Sequence, residues 1–196
     1  MKNSCHWLYA AVPLTAALFS VLLIVQALWI PLKAELAQSL IERSWSETVG
    51  GDAASHPWPW ADTRPAAVLS VPAHGIRQFV LEGNSLRNLA FGPTFSDGTS
   101  NGRDMIISGH RDTHFRFLAS LRAGDLIGIQ TRQSKQWFEV SDMEVVDSRR
   151  RELLIEPGLQ RVSLVTCYPF DSPTAGGPLR YVVTALPLKR RSPSSG

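Results

Sequence analysis

From Ala67 onward the chain is a succession of short β-prone runs separated by Gly, Pro, Asn and Asp. That punctuation confines it to an all-β sandwich or barrel. The runs fall at residues 67–71, 78–82, 104–108, 126–131, 136–141, 144–147, 161–166 and 181–186. Eight strands of this length suit a closed barrel, in which no strand edge is left open to another chain. Two stretches, 85–91 and 115–121, read as helical interruptions, the second stopping at the turn Arg122-Ala-Gly-Asp125. No internal repeat is visible, so a single barrel accounts for this part of the chain.

Ahead of the barrel the composition is different. From Trp7 to Leu32 run 26 residues without a formal charge. As a helix this reaches roughly 39 Å at about 1.5 Å per residue, against a hydrocarbon core of about 30 Å. Trp7, Tyr9 and Trp29 lie near its ends, where amphipathic rings favour the membrane interface. The alternative is a cleaved signal peptide, but the stretch exceeds an h-region of about 7–15 residues and no Ala-x-Ala site follows it. Residues 7–32 therefore read as a single-pass anchor in the cytoplasmic membrane, after a short cytoplasmic segment, 1–6. Lys2 and the amino terminus on one side face Lys33 and Arg43 on the other, so the positive-inside rule barely decides orientation. The long domain that follows is expected to be translocated to the periplasmic side.

Residues 34–41 extend the helical pattern, and 44–55 then turn rich in Ser, Gly and Ala, so 33–57 read as a stalk. The segment His56-Pro-Trp-Pro-Trp60 is too rich in proline for a helix, and its tryptophans are expected to bury one or both rings along the domain surface. Residues 58–188 form the domain and 189–196 a flexible basic, Ser-rich tail. Of the 196 residues this leaves enough for one monomeric domain.

Net charge is +3 with the basic residues scattered, so no face suited to nucleic acid is formed. Glu139, Asp142, Glu144 and Asp147 lack the ligand spacing of a calcium loop; neither a metal nor a cofactor is called for. With residues 1–6 inside, Cys5 and Cys167 lie in different compartments. No disulfide joins them, and Cys167 is a free thiol where structural cysteines normally pair.

Three residues occupy strand ends. Asp104-Met-Ile-Ile-Ser-Gly-His110 ends an apolar run on an imidazole, Cys167 ends another 57 residues later, and Arg180 follows by 13 at the start of the last run. A thiol is mostly protonated at neutral pH, and a nearby imidazole can form its thiolate or protonate a leaving amine. An arginine stays charged throughout and can donate to an oxyanion. Each alone has an ordinary explanation, since a lone cysteine is commonly inert packing and a lone histidine commonly structural.

Together the segments resemble the sortase family: Ser108-Gly-His110-Arg-Asp-Thr-His-Phe115, Leu164-Val-Thr-Cys167-Tyr-Pro-Phe170 and Gly176-Gly-Pro-Leu-Arg180-Tyr-Val-Val. The order His, Thr-Cys, Arg matches as well. Upstream the likeness includes Trp58-Pro-Trp-Ala-Asp-Thr63, Leu81-Glu-Gly-Asn-Ser85 and Leu89-Ala-Phe-Gly-Pro93, so it spans residues 58–186. The wording is most similar to the proteobacterial branch near classes D and E. The resemblance implies an eight-stranded β-barrel transpeptidase held by an N-terminal helix. Such an enzyme cuts a Leu-Pro-x-Thr-Gly-like C-terminal sorting signal of a secreted protein, holds the acyl group as a thioester and passes it to an amine. It also implies that Cys167 is the nucleophile, His110 the general acid/base and Arg180 the group that orients substrate and stabilises the oxyanion.

Around these, Thr166 is a candidate for lining the substrate groove, although β propensity alone explains a threonine there. Asp112 is a candidate orienter of His110, with a loop or capping carboxylate as the plainer reading. His114 falls at a helix start and is not taken as the catalytic imidazole; His56 and His74 read as structural or solvent-facing. Leu153, Leu154 and Ile155, in the loop 147–160, are candidates to receive an apolar substrate pair, while Arg149, Arg150 and Arg151 read as a solvated face. Two other functions fit the same residues. One is an extracytoplasmic cysteine peptidase or amidase that uses water; the other is a non-catalytic, membrane-tethered barrel that binds a protein partner. An L,D-transpeptidase is set aside, because those enzymes cluster His and Cys within one segment.

Overall fold

The computed structural model describes residues 17, 19, 20, 23, 26, 35–51, 55–83, 85–96, 98, 99, 103–151, 155, 156, 158–173 and 176–188. Chain contacts divide it into two units, Met1–Ser39 and Leu40–Gly196. In the first, the described residues are helical, and Ser39 Oγ donates to the Leu36 carbonyl at 2.8 Å. The expected anchor, 7–32, lies almost wholly outside the described residues, as do segments 1–6 and 189–196. Among the described residues no helix is long and apolar enough to cross a membrane.

The second unit is a closed barrel. Its strands are β1 (Pro65–Val71), β2 (Ile76–Leu81), β3 (Thr94–Phe95), β4 (Asp104–Ser108), β5 (Leu126–Thr131), β6 (Lys135–Asp147), β7 (Arg161–Cys167) and β8 (Leu179–Pro187). They close in the order β1-β2-β3-β4-β7-β8-β6-β5. Closure satisfies every strand edge internally, which removes the exposed edge that an open sheet must protect. Alternate residues point inward: Ala67, Leu69 and Val71 of β1, Met105 and Ile107 of β4, and Val162 and Leu164 of β7 all join one core around Phe95, Phe115 and Phe138. The period of two along each strand produces this division.

Eight strands are present, but they differ from the eight read in the sequence. The runs 136–141 and 144–147 belong to one 13-residue strand, β6, whose register shifts between Val140 and Asp142. Residues 135–139 pair with β5 and 138–147 with β8, and an extra residue bends a strand locally. Ser141 Oγ donates to the Thr184 carbonyl at 3.0 Å at this bulge. The eighth strand is β3, two residues too short to stand out from its surroundings. Of the expected helices, 85–91 contains a single turn, α2 (Leu86–Leu89), capped by Ser85 through the Asn88 N–H, and 115–121 contains a 3-10 turn, Arg116–Ser120.

Outside β1 and β2 lies a second apolar cluster of Ile41, Trp45, Val68, Phe79 and Leu81, with Trp58 and Phe91 against it. Ile41 and Trp45 come from α1 (residues 40–49), part of the stretch read as a stalk. Ile41, Ser44, Trp45 and Thr48 are all buried, an i, i+3, i+4, i+7 stripe that turns one helix face to the barrel. Ser44 Oγ donates to the Ser55 carbonyl at 2.6 Å, and Thr48 Oγ1 to the Ser44 carbonyl at 2.8 Å. This part of the chain is therefore packed on the domain. Ser44 and Thr48, two of the residues that made it read as linker, lie on the buried face. Trp58 sits edge-on to Phe91 at 5.1 Å and is half-buried beside β1 and β2, whereas Trp60 is exposed.

Candidate active site

β7 runs between β4 and β8, parallel to the first and antiparallel to the second. The register pairs Ser108 with Val165 and Cys167 with Arg180. His110 follows the end of β4, Cys167 ends β7 and Arg180 lies at the start of β8, so the topology gathers the three at one rim. Val162 and Leu164 face the core; by the same alternation Cys167 belongs to the outward set with Ser163 and Val165. Cys167 and Arg180 are half-buried and His110 is exposed.

Backbone ties prolong the β4–β7 ladder past the last paired residues. The Gly109 N–H donates to the Val165 carbonyl at 3.1 Å, and Thr166 Oγ1 donates to the Gly109 carbonyl at 2.7 Å. Gly109 has no room for a side chain, because a Cβ would lie 2.7 Å from Cγ of Phe115. The Phe115 N–H in turn donates to the His110 carbonyl at 2.9 Å, closing the His110 loop over that ring. Thr166 is buried and its hydroxyl is committed to this tie. It joins strand to loop rather than lining an open groove.

Beyond His110 comes a residue that the sequence reading passed over. Arg111 is 6% exposed. Its Nη1 donates to the Pro169 carbonyl at 2.7 Å and its Nη2 to the Ser172 carbonyl at 3.0 Å, while Nε and Nη2 also reach Asp112 at 3.0 and 3.3 Å. The Asp112 hydrogen bond holds the Arg111 guanidinium above its ordinary pKa against the effect of burial, with the Asp112, Cys167 and Asp171 charges adding to it. Asp112 is correspondingly held below the usual carboxylate range, first by the Arg111 hydrogen bond and further by the Arg111, His110 and Arg116 charges. Both Asp112 oxygens are thus turned to Arg111. The signal for Arg111 was its place directly after His110, but its long reach to the loop after Cys167 is not legible in one dimension.

Arg180 Nη1 donates to the Gly177 carbonyl at 2.6 Å and to its own neighbour's carbonyl, Leu179, at 2.9 Å. Tyr168, Phe170 and Tyr181 form a ring cluster, with Phe170 and Tyr181 centroids 5.2 Å apart. Burial raises the Tyr181 pKa. Burial also lowers that of His114, opposed by a backbone hydrogen bond with Ala90. A cleft of about 270 Å³ opens beside this region, lined by Arg111, Asp112, Arg116, Phe170, Asp171 and Ser172.

Leu153 and Leu154 lie outside the described residues; Ile155 is exposed. Their loop is pinned where the Glu156 N–H donates to Asp104, itself buried and gripped by Arg161 at 2.9 and 2.8 Å. The Arg149–Arg151 run is exposed and engaged locally, Arg149 with Asp147 and Arg151 with Glu144. His74 meets Asp125 at 3.1 Å and His56 meets the Thr63 carbonyl at 3.1 Å, both structural contacts. Among the described residues no three His, Cys, Asp or Glu side chains converge as a metal site.

A family model described as the sortase domain matches residues 69–188, more than half of the chain. The chain belongs to the sortase family. Sortase D of Bacillus subtilis (strain 168) is 27% identical over 123 residues, which cover 60% of this chain and 61% of that protein; this sortase thus spans about three-fifths of that relative. A Clostridium perfringens sortase D5 transpeptidase superposes with a TM-score of 0.62 at 18% identity, covering 79% of this chain and 99% of its own. C. perfringens sortase C, solved with the C-terminal cell wall sorting motif, superposes at 0.55 with 19% identity, covering 80% and 90%. At such identity the structural likeness speaks for the fold. The match to a sortase D agrees with the class D and E wording of the His110 motif.

Proposed function

We propose that this sortase is a membrane-anchored cysteine transpeptidase that cleaves a Leu-Pro-x-Thr-Gly-like C-terminal signal on a secreted protein. The carrying observation is the register that pairs Cys167 with Arg180 and ties Gly109 to Val165 and Thr166, because it supports a thiol, a guanidinium and an imidazole gathered at the ends of adjacent strands. The sorting motif named with the clostridial sortase C supports the substrate class. The uncharged stretch 7–32 supports an anchor, with the barrel on the periplasmic side.

In this reading Cys167 passes its proton to His110 and its Sγ attacks the carbonyl carbon of threonine itself, and a tetrahedral oxyanion forms. The oxyanion is met by the Arg180 guanidinium through Nε or Nη2, Nη1 being held by Gly177 and Leu179. His110 gives its proton to the departing amine, leaving a thioester on Cys167. An incoming amine then attacks that carbonyl, His110 takes its proton, and the thiolate leaves as the new amide forms. The same base serves both halves because its loop is fixed to the strand that bears the sulfur.

The test is to incubate the full-length protein with candidate peptides, with and without a primary amine, and to follow adducts and products by mass spectrometry. A mass increase on Cys167 equal to the peptide's acyl portion, and an amide product formed faster when amine is added, are expected. An adduct discharged to acid at a rate indifferent to amine would instead make water the acceptor. Turnover that survives Cys167→Ala would end the cysteine mechanism and favour a binding role.

A further inference from the structure

Resting on the reading of Cys167 and His110 as nucleophile and acid/base, we infer that Arg111 is a positioning residue that sets the imidazole against the sulfur by clamping the nucleophile's loop to the histidine's loop. Its chain neighbours His110 and Asp112 are exposed while Arg111 is buried, so the side chain turns under the loop. There one guanidinium grips two carbonyls of the turn after Cys167, at Pro169 and Ser172. That turn is itself closed by the Ser172 N–H on the Pro169 carbonyl at 3.4 Å. On the other side of the pair, Gly109 is tied to Val165 and Thr166.

His110 thus lies between tied residues 109 and 111, and Cys167 between tied residues 166 and 169. Two short segments bracketed in this way have little freedom to slide past one another. An arginine is required for the far tie because its planar fork can serve two carbonyls and a carboxylate at once, whereas an ammonium is a single point. Asp112, chelating Nε and Nη2, fixes the plane of the fork. The guanidinium contacts the peptide backbone of the loop, and its influence on the reaction passes through His110 and Cys167.

A misplacement of about 1 Å at a reacting pair can lower a rate about 10²-fold, and the loss depends on which step needs the imidazole. Cleaving an amide requires a proton for the leaving amine; cleaving a thioester does not. The experiment compares full-length Arg111→Gln with the parent on two probes: a Leu-Pro-Ala-Thr-Gly peptide, and the same peptide ending at threonine as a thiobenzyl ester. Expected are an about 10²-fold fall in kcat on the amide, with KM within about twofold, and a fall of only a few-fold on the thioester. Parallel losses on both probes, a rise in KM alone, or no loss would overturn the inference. If Arg111→Gln does not fold, Asp112→Asn decides instead. It leaves the buried guanidinium in place but frees its fork, and a loss of about threefold or more confined to the amide is expected; equal or absent losses overturn the inference. Failure of the underlying reading is distinct, since Cys167→Ala would then still cleave both probes.

Discussion

Thr166→Val isolates one tie between the two loops. Valine has nearly the shape of threonine, so the change deletes the hydroxyl and little else. Thr166 is 2% exposed and its 2.7 Å bond is to the buried Gly109 carbonyl. Losing such a bond and leaving the acceptor without a partner costs about 1–3 kcal/mol. Against a domain stability of about 5–15 kcal/mol, even the upper figure taken from the lowest stability leaves about 97% of molecules folded. A drop in activity of tenfold or more then reports geometry at His110 rather than unfolded protein. Urea unfolding supplies the stability change, and single-turnover thioester formation on a sorting-type peptide supplies the rate. Thr166→Ser, which keeps the donor, should restore most of both. A valine variant destabilised by about 2 kcal/mol yet acylating at the parental rate would refute the view that this bond holds the imidazole in register.

Other expectations follow from separate parts of the molecule. Gly109→Ala places a methyl group 2.7 Å from Phe115, and denaturant melts should record a loss of about 1–3 kcal/mol, partly relieved when Phe115→Leu is added. Trp45→Ala, in the cluster outside β1 and β2, should cost about 3 kcal/mol in the same assay while acylation of the folded fraction stays at the parental rate. The Asp147 carboxyl is pushed down to about 2, chiefly by side-chain and then backbone hydrogen bonds from Arg149. Because its folded pKa lies below the unfolded value of about 4, its contribution is complete above about pH 4 and is lost as pH falls toward about 2. An NMR titration of Asp147 should show that midpoint rise in Arg149→Ala, and stability should then fall less steeply between those pH values.

The parts of this fold that sequence could disclose are those governed by local periodicity. Strand β4 ends where its apolar run ends, and the ends of β4 and β7 could be read as an imidazole and a thiol at strand termini. What escaped depends on partners distant in the chain. Strand β6 read as two because its pattern stopped at Ser141 and resumed at Glu144, whereas in space that break adjoins the register shift between Val140 and Asp142. The two residues of β3 have pairing partners but no pattern of their own. Helix α1 was hidden by composition, since Ser44, Ser46 and Thr48 suggest a linker while the spacing of Ile41, Ser44, Trp45 and Thr48 describes a packed face. The positions of Thr166 and Arg111 follow from the parallel register of β4 on β7, which no local window contains. Arg180 was legible as a charge at a strand start and, through the family resemblance, as a partner of Cys167; that the two are paired across strands is a property of the ladder.

That ladder also carries a consequence for how the molecule comes into being. Strand β7 acquires both of its neighbours only once β8, the last strand of the barrel, has been added, and β8 also completes β6. A chain delivered amino end first, whether from the ribosome or across a membrane, therefore carries its thiol in a half-built sheet until the final strand arrives. The pairing of Cys167 with Arg180 is thus among the last to be made as the barrel is completed.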